Sequence, residues 1–171
     1  MTEQMSVKIA ALPSLRLTVE AHGLMAKKAL GQNFLLDQNI TDKIINLSLQ
    51  KQNKKDFSGA NVFEVGPGPG GLTRAVLAAE PKSLTVVEMD ERCIAIMNEI
   101  KEKTGDIIHI INGDAMQTDF SVLAPAPRHI ISNLPYNISV PLLVGWLKNI
   151  NAYDSLTLMF QKEVAERITA P

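Results

Sequence analysis

The sequence predicts an α/β fold, a mostly parallel sheet with helices on both faces. Five short apolar runs rich in β-branched residues (62–65, 84–88, 107–111, 129–132 and 155–160) alternate with longer stretches of helical character. That alternation is what a parallel sheet with crossover helices writes into a chain. The first run also ends in the glycine-rich turn Gly66-Pro67-Gly68-Pro69-Gly70-Gly71, ahead of a helical stretch. Missing side chains there let a ligand approach the backbone. At 171 residues, 46% hydrophobic and 20% charged, the chain has the make-up of one ordinary globular domain and can bury a sizeable core.

Taken in order, 15–21 and 38–50 read as helices ahead of the first strand. His22 before Gly23 ends the first, and Asp37 or Thr41 opens the second, which runs into the polar stretch 51–55. After strand 62–65 come a helix over 71–79, strand 84–88, and a helix over 91–103 whose Ile94, Met97 and Ile100 are spaced to face a sheet. Strand 107–111, strand 129–132, a helix over 140–149 and strand 155–160 complete the series. The strands are expected to be buried on both faces, as such sheets require. An N-terminal helical extension of about 1–58 would precede a core of about 59–171, without internal repeats or low-complexity segments.

Composition narrows the function classes. Lysine and arginine total 17 against 18 acids, a formal charge of −1, so no global basic field marks a nucleic-acid binder. Any RNA contact must be local or lie outside this chain. Cys93 is alone, and His22, His109 and His129 are far apart, so neither a disulfide framework nor a metal site has its spacing. The apolar run 7–12 is short, carries Lys8 and stops at Pro13, unlike a signal sequence or a membrane span. A cytosolic protein is expected.

Gly66, Gly68 and Gly71 satisfy the dinucleotide spacing G-x-G-x-x-G, and Glu88 ends the next strand where a ribose-binding acid belongs. The loop alone therefore leaves NAD and S-adenosylmethionine open, beside a plain turn without a ligand. Chemistry around the loop favours S-adenosylmethionine, which carries an ammonium and a sulfonium but no pyrophosphate. Glu64 suits that cationic end, whereas an acid there would repel a pyrophosphate, and Pro67 and Pro69 remove N–H donors that a phosphate cradle uses. After the third strand, the Asp114 carboxylate can accept a hydrogen bond from an adenine amino group, or can instead cap a helix. Three acids at the ends of successive strands favour the ligand, since ligands in open α/β sheets lie outside the carboxyl ends of the strands.

The fourth strand leads into Asn133-Leu134-Pro135-Tyr136. An exocyclic adenine nitrogen is a poor nucleophile because its lone pair is delocalised, and acceptors on its two protons help to free that pair. Asn133 and the Leu134 carbonyl supply two acceptors, and Pro135 restricts Leu134 to extended conformations. Tyr136 offers a stacking face for an extruded base. The same tetrapeptide would also serve as a simple turn leaving a strand.

Six segments are shared in order with one family: Gly31-Gln32-Asn33-Phe34-Leu35, the loop from Glu64 to Gly70, Glu88, Asp114-Ala115, Asn133-Leu134-Pro135-Tyr136, and Gln161-Lys162-Glu163-Val164-Ala165 with Arg167. Together they resemble the ribosomal RNA adenine dimethyltransferases, nearest the small-subunit group, over nearly the whole chain from about Leu15. The resemblance implies a Rossmann-like class I S-adenosylmethionine-dependent methyltransferase. It also implies two successive methyl transfers to N6 of each of two adjacent adenosines near the 3′ end of 16S ribosomal RNA. The partner would be the pre-30S small subunit, and the enzyme a cytoplasmic monomer without a metal.

Carried across, Gln32, Asn33 and Leu35 would line the cofactor site, and Gly66 and Gly68 would approach the methionyl part. Glu88 would bind the ribose and Asp114 the cofactor's adenine, with Met89 and Ala115 in the same cofactor set. Asn133 would touch both cofactor and target amine, Leu134 and Pro135 would complete that turn, and Tyr136 and Phe160 would flank the target base. By sequence alone, Phe160 reads as a core residue at a strand end. Lys27, Lys28, Lys162 and Arg167 could reach phosphates at the site mouth, though as single residues they read as solvated charge.

The family continues through further strands into a small helical domain that helps bind RNA. This chain is thus expected to be a catalytic-domain fragment with an exposed sheet edge, weakly active or inactive alone. Competing readings are an erythromycin-resistance-type 23S methyltransferase, a non-catalytic relative like the mitochondrial transcription factors, and an NAD-dependent oxidoreductase. The Gly31 to Leu35 and Leu134 choices, the intact Asn133 and Tyr136, and Glu64 with its prolines weigh against them in turn.

Overall fold

The computed structural model describes residues 3–24 and 34–171. Among these, α1 (Met5–Ala10), α2 (Leu15–Ala21) and α3 (Gln38–Lys51) precede β1 (Asn61–Val65). Then follow α4 (Gly71–Ala78), β2 (Ser83–Glu88), α5 (Glu91–Thr104), β3 (Ile108–Asn112), β4 (Arg128–Asn133), α6 (Ser139–Lys148), β5 (Ser155–Met159) and α7 (Lys162–Ile168). Short 3-10 turns occupy Ala115–Gln117, Phe120–Val122 and Ile150–Ala152. Asp37 is the residue that opens α3, its carboxylate accepting from the Asn39 amide at 2.9 Å.

All strand pairs are parallel, in the order β3-β2-β1-β4-β5. The order reverses between β1 and β4, which places a crevice at their carboxyl ends. Their backbone ladder runs only from Asn61 opposite Arg128 to Phe63 opposite Ile130. Beyond it the Ser132 hydroxyl takes over, donating to the Val65 carbonyl at 2.7 Å and accepting from its amide at 3.2 Å.

Alternate strand residues feed two cores, as a period of two demands. On one face Val62, Leu84, Val86, Ile108 and Ile131 pack with side chains of α1 through α5. On the other, Phe63, Val65, Val87 and Ile130 meet Phe120, Leu142 and Trp146, with the Phe63 and Phe120 rings stacked at 5.0 Å. Each fully buried large side chain such as Phe57, Phe63 or Phe120 contributes about 1.5–3 kcal/mol. The α1 helix was not anticipated from the run 7–12, yet its Ile9 joins the same cluster as Val19 of α2 and Ile45 and Leu49 of α3. α7 likewise went unforeseen, and none of its residues is buried.

Two expectations need correcting. Burial on both faces holds for β1 and for the middle of β2 and β4, but β3 is only partly covered and β5 is half-buried along its length. Both are end strands of this sheet, with a neighbour on one side only. On α5 the buried stripe is Cys93, Ile96, Met97 and Ile100, with Ile94 at its margin. An i, i+3, i+4, i+7 row faces the sheet, and of the expected row Met97 and Ile100 lie on it while Ile94 sits at its edge.

At the amino ends of the strands, polar groups bond one another, with His129 Nε2 left unpaired among the described residues. The Asn61 amide group donates to the Pro125 carbonyl at 2.7 Å and its oxygen accepts from the Ser83 hydroxyl at 2.6 Å. Arg128 donates to the carbonyls of Ala124 and Ala152, and its own amide donates to Asp154. His129, buried, has Nδ1 2.7 Å from the Ser155 hydroxyl.

Candidate active site

At the opposite edge, Glu64 sits one residue before the end of β1 and is 2% exposed. The chain then enters the glycine loop, tied to β2 by the Gly66 amide donating to the Val87 carbonyl at 2.9 Å. Gly66 has φ +63°, and a Cβ on it would lie 3.2 Å from Cγ of Pro135. A left-handed backbone pressed against a neighbouring ring admits glycine best. A Cβ on Gly71, the first residue of α4, would collide with the Leu35 carbonyl oxygen. The loop is thus packed between the 34–35 segment and the turn after β4.

These elements line an open hollow of about 70 Å³. The structure brings Leu35, Glu64, Gly66, Gly68, Glu88, Asn133, Leu134, Pro135 and Tyr136 together around it, all singled out from sequence. Phe34, Pro67, Pro69, Gly71 and Leu72 join the lining. Asn133 is the last residue of β4, opposite Met159 of β5, so a sheet position fixes its backbone. The Pro135 carbonyl accepts from the Ile138 amide at 3.2 Å and the Tyr136 carbonyl from the Ser139 hydroxyl at 3.2 Å, which fasten the tetrapeptide to the start of α6.

The electrostatics centre on two carboxyls. Burial pushes the Glu64 carboxyl up to about 8, and the nearby Glu88 charge adds to the rise. The Thr73 hydroxyl acts against it, donating to Glu64 Oε2 at 2.7 Å. Glu88 is engaged unevenly: Oε1 accepts from the Met89 and Asp90 amides at 2.8 and 2.9 Å, while among the described residues Oε2 reaches the Gly68 amide alone, at 3.5 Å. Oε2 is the oxygen available to a diol.

Other expected residues lie elsewhere. Asp114 Oδ1 accepts from the Met116 amide at 2.9 Å and caps the 3-10 turn Ala115–Gln117, outside the lining of the hollow. Ala115 is buried and lines a separate depression with Trp146 and Tyr153. Met89 is 67% exposed. Phe160 is partly buried against the cluster that contains Phe63 and Trp146. Gln32 and Asn33, with Lys27 and Lys28, fall outside the described residues. Among the described residues no group of histidine, cysteine or acidic side chains is arranged to hold a metal ion, and no helix is long and apolar enough to cross a membrane.

Sequence reasoning missed Thr73 and Ser132. A hydroxyl in the first turn of the helix after a glycine loop faces back toward the strand that precedes it, which is the signal for Thr73. Ser132 carried a weaker one, a small polar residue amid an apolar strand.

Comparison with known proteins agrees with this geometry. The family model described as ribosomal RNA adenine dimethylase matches residues 23–171. Ribosomal RNA small subunit methyltransferase A of Gluconobacter oxydans is 51% identical over 160 residues, which cover 94% of this chain and 51% of that protein. The chain spans about half the length of the curated relatives it matches. A dimethyladenosine transferase from Plasmodium falciparum superposes with a TM-score of 0.67 at 31% identity, covering 81% of this chain and 47% of that one. The 23S rRNA methyltransferase ErmE gives 0.63 at 26% identity, covering 80% and 51%. On a Rossmann-like class I methyltransferase fold, and matched by the family model from residue 23 to its end, the chain belongs to the ribosomal RNA adenine dimethylase family.

Proposed function

We propose that the intact protein transfers methyl groups from S-adenosylmethionine to N6 of two adjacent adenosines near the 3′ end of 16S ribosomal RNA, acting as a cytoplasmic monomer on the small-subunit precursor. One observation carries this reading: Asn133 at the end of β4 opens Leu134-Pro135-Tyr136 onto the hollow that also holds the glycine loop, Glu64 and Glu88. The hollow suits the cofactor, because the buried Glu64 lines it as a partner for the cationic methionyl end and Glu88 lines it as a partner for the ribose.

When bound, the cofactor supplies an electrophilic methyl on a sulfonium. The side-chain oxygen of Asn133 and the carbonyl of Leu134 accept the two protons of the target amine, which turns its lone pair toward that methyl. Tyr136 stacks on the base, and Phe160 flanks it. No strong base is required, since the methylated nitrogen is cationic and releases its proton to solvent. Catalysis is chiefly in-line positioning. By the family resemblance Gln32, Asn33 and Leu35 belong to the cofactor set, Glu88 with Met89 holds the ribose, and Asp114 with Ala115 meets the adenine. Lys162 and Arg167 on α7 approach phosphates of the RNA.

A small-subunit target is favoured over a 23S target by identity: 51% to the curated small-subunit relative against 26% to ErmE. The test incubates the intact protein with labelled S-adenosylmethionine and undermethylated small subunits and maps the modified adenosines by mass spectrometry. Label at two adjacent adenosines of 16S RNA is expected. Label in large-subunit RNA, or none, overturns the proposal.

A further inference from the structure

The pair Glu64 and Thr73 is not explained by the transfer chemistry. Thr73 is fully buried in the first turn of α4 and donates to Glu64 Oε2 at 2.7 Å; its oxygen also lies 4.0 Å from the Met97 sulfur of α5. From β2, Glu88 faces Glu64 and is the one charged group among the described residues whose field raises it. Asp90, at the start of α5, is tied to Arg92 at 2.7 Å. The tetrapeptide brings Tyr136 to the same hollow. A carboxyl this enclosed, beside a second acid and with no cation acting on it among the described residues, holds its proton at neutral pH in the ligand-free protein.

We infer that Glu64 loses that proton when the cofactor binds, so that binding releases one proton, and that Thr73 is a positioning residue that holds Glu64 in the form and rotamer which accept the ligand's ammonium. The inference rests on the cofactor reading given above. The exchange balances: the neutral carboxyl and the ligand ammonium give a carboxylate paired with that ammonium and one proton delivered to solvent. The Thr73 hydroxyl favours this change, because a donor to a carboxylate stabilises its charged form. Neither neighbour supplies a competing positive charge, so the ligand's own ammonium is what draws the proton off.

The experiment titrates the intact protein with S-adenosylhomocysteine by calorimetry from pH 6 to 9, in buffers of different ionisation enthalpy. Near neutral pH one proton should be released per ligand bound. Affinity should rise on the order of 50-fold between pH 6 and pH 8 and then level off. Glu64→Gln should abolish both the release and most of the slope, and thereby accounts for ionisation of the ligand itself. Thr73→Val should move the levelling-off point to higher pH and weaken binding at neutral pH about tenfold, and Thr73→Ser should restore both. A merely structural Thr73 would lower affinity equally at every pH, and that result overturns its positioning role. Binding without proton release overturns the coupling while leaving the cofactor assignment standing; absence of binding at every pH overturns both.

Discussion

The two ends of the sheet handle buried polar groups in opposite ways. At the amino end, Asn61, Ser83, Arg128, Asp154 and Ser155 bond one another, His129 Nδ1 and nearby carbonyls at hydrogen-bond distance, and His129 Nε2 alone of this group stays unpaired among the described residues. At the carboxyl end, Glu64 is as deeply buried but has one hydroxyl donor and a second acid for company. Closed networks hold strands in place; a carboxyl left short of partners stores free energy that a ligand can release. The same five strands therefore spend one end on stability and the other on recognition.

The sharpest way to break that contrast is Asn133→Ala. It should lower methyl transfer about 100- to 1,000-fold, as the loss of a preorganised polar group does, while the melting temperature stays within a few degrees. Single-turnover assays with labelled cofactor beside thermal melts would measure both. A large fall in stability would show that this end also carries the fold.

The mirror experiment is Asn61→Ala, which strips partners from the Ser83 hydroxyl and the Pro125 carbonyl. Urea unfolding should report a loss of about 1–3 kcal/mol, and affinity for S-adenosylhomocysteine should hold within about twofold if the two ends are independent.

Ser132 lies on the border, since its hydroxyl bridges both backbone groups of Val65 one residue from Gly66. For Ser132→Ala we expect about 1 kcal/mol of lost stability together with a fall in transfer rate of about tenfold. An effect on one property alone would redraw the boundary between the ends.

In pH dependence the two ends should show opposite signs. Glu64 is raised from 4.5 to about 8, so the native state holds a proton that the unfolded chain has lost. Its contribution to stability is full below about pH 4.5 and disappears as pH rises through about 8. His129 is lowered from 6.5, chiefly by burial and then by Lys54, with Asp154 opposing. Its contribution is present above that value and is lost as pH falls through the depressed native one. Melting curves across pH should flatten on the alkaline side for Glu64→Gln and on the acid side for His129→Asn. Identical curves for variants and parent would remove the contrast.

How much of this was legible follows from the range of each signal. The strands, the glycine turn and the tetrapeptide were readable because each depends on neighbours within a few residues, or on alternation that a parallel sheet enforces. The meeting of Glu64, Glu88 and Asn133 was readable because strand ends in such a sheet share an edge. Thr73 and Ser132 were not, because their partners are set by helix rotation and by where a ladder stops, and neither leaves a periodic trace. β3 and β5 read as fully buried because apolar content alone does not reveal which strands end a sheet. Asp114 shows the limit of type and spacing: one oxygen serves a cap in the structure, and its proposed adenine contact rests on family resemblance.

The contact between Gly66 and Pro135 has a consequence for engineering. Because any larger residue at position 66 would press on that ring, the loop and the tetrapeptide behave as two halves of one mould. Transplanting Asn-Leu-Pro-Tyr onto another methyltransferase scaffold should therefore fail unless the recipient carries a glycine at the matching place, and swapping specificity within this architecture means exchanging both segments as a cassette.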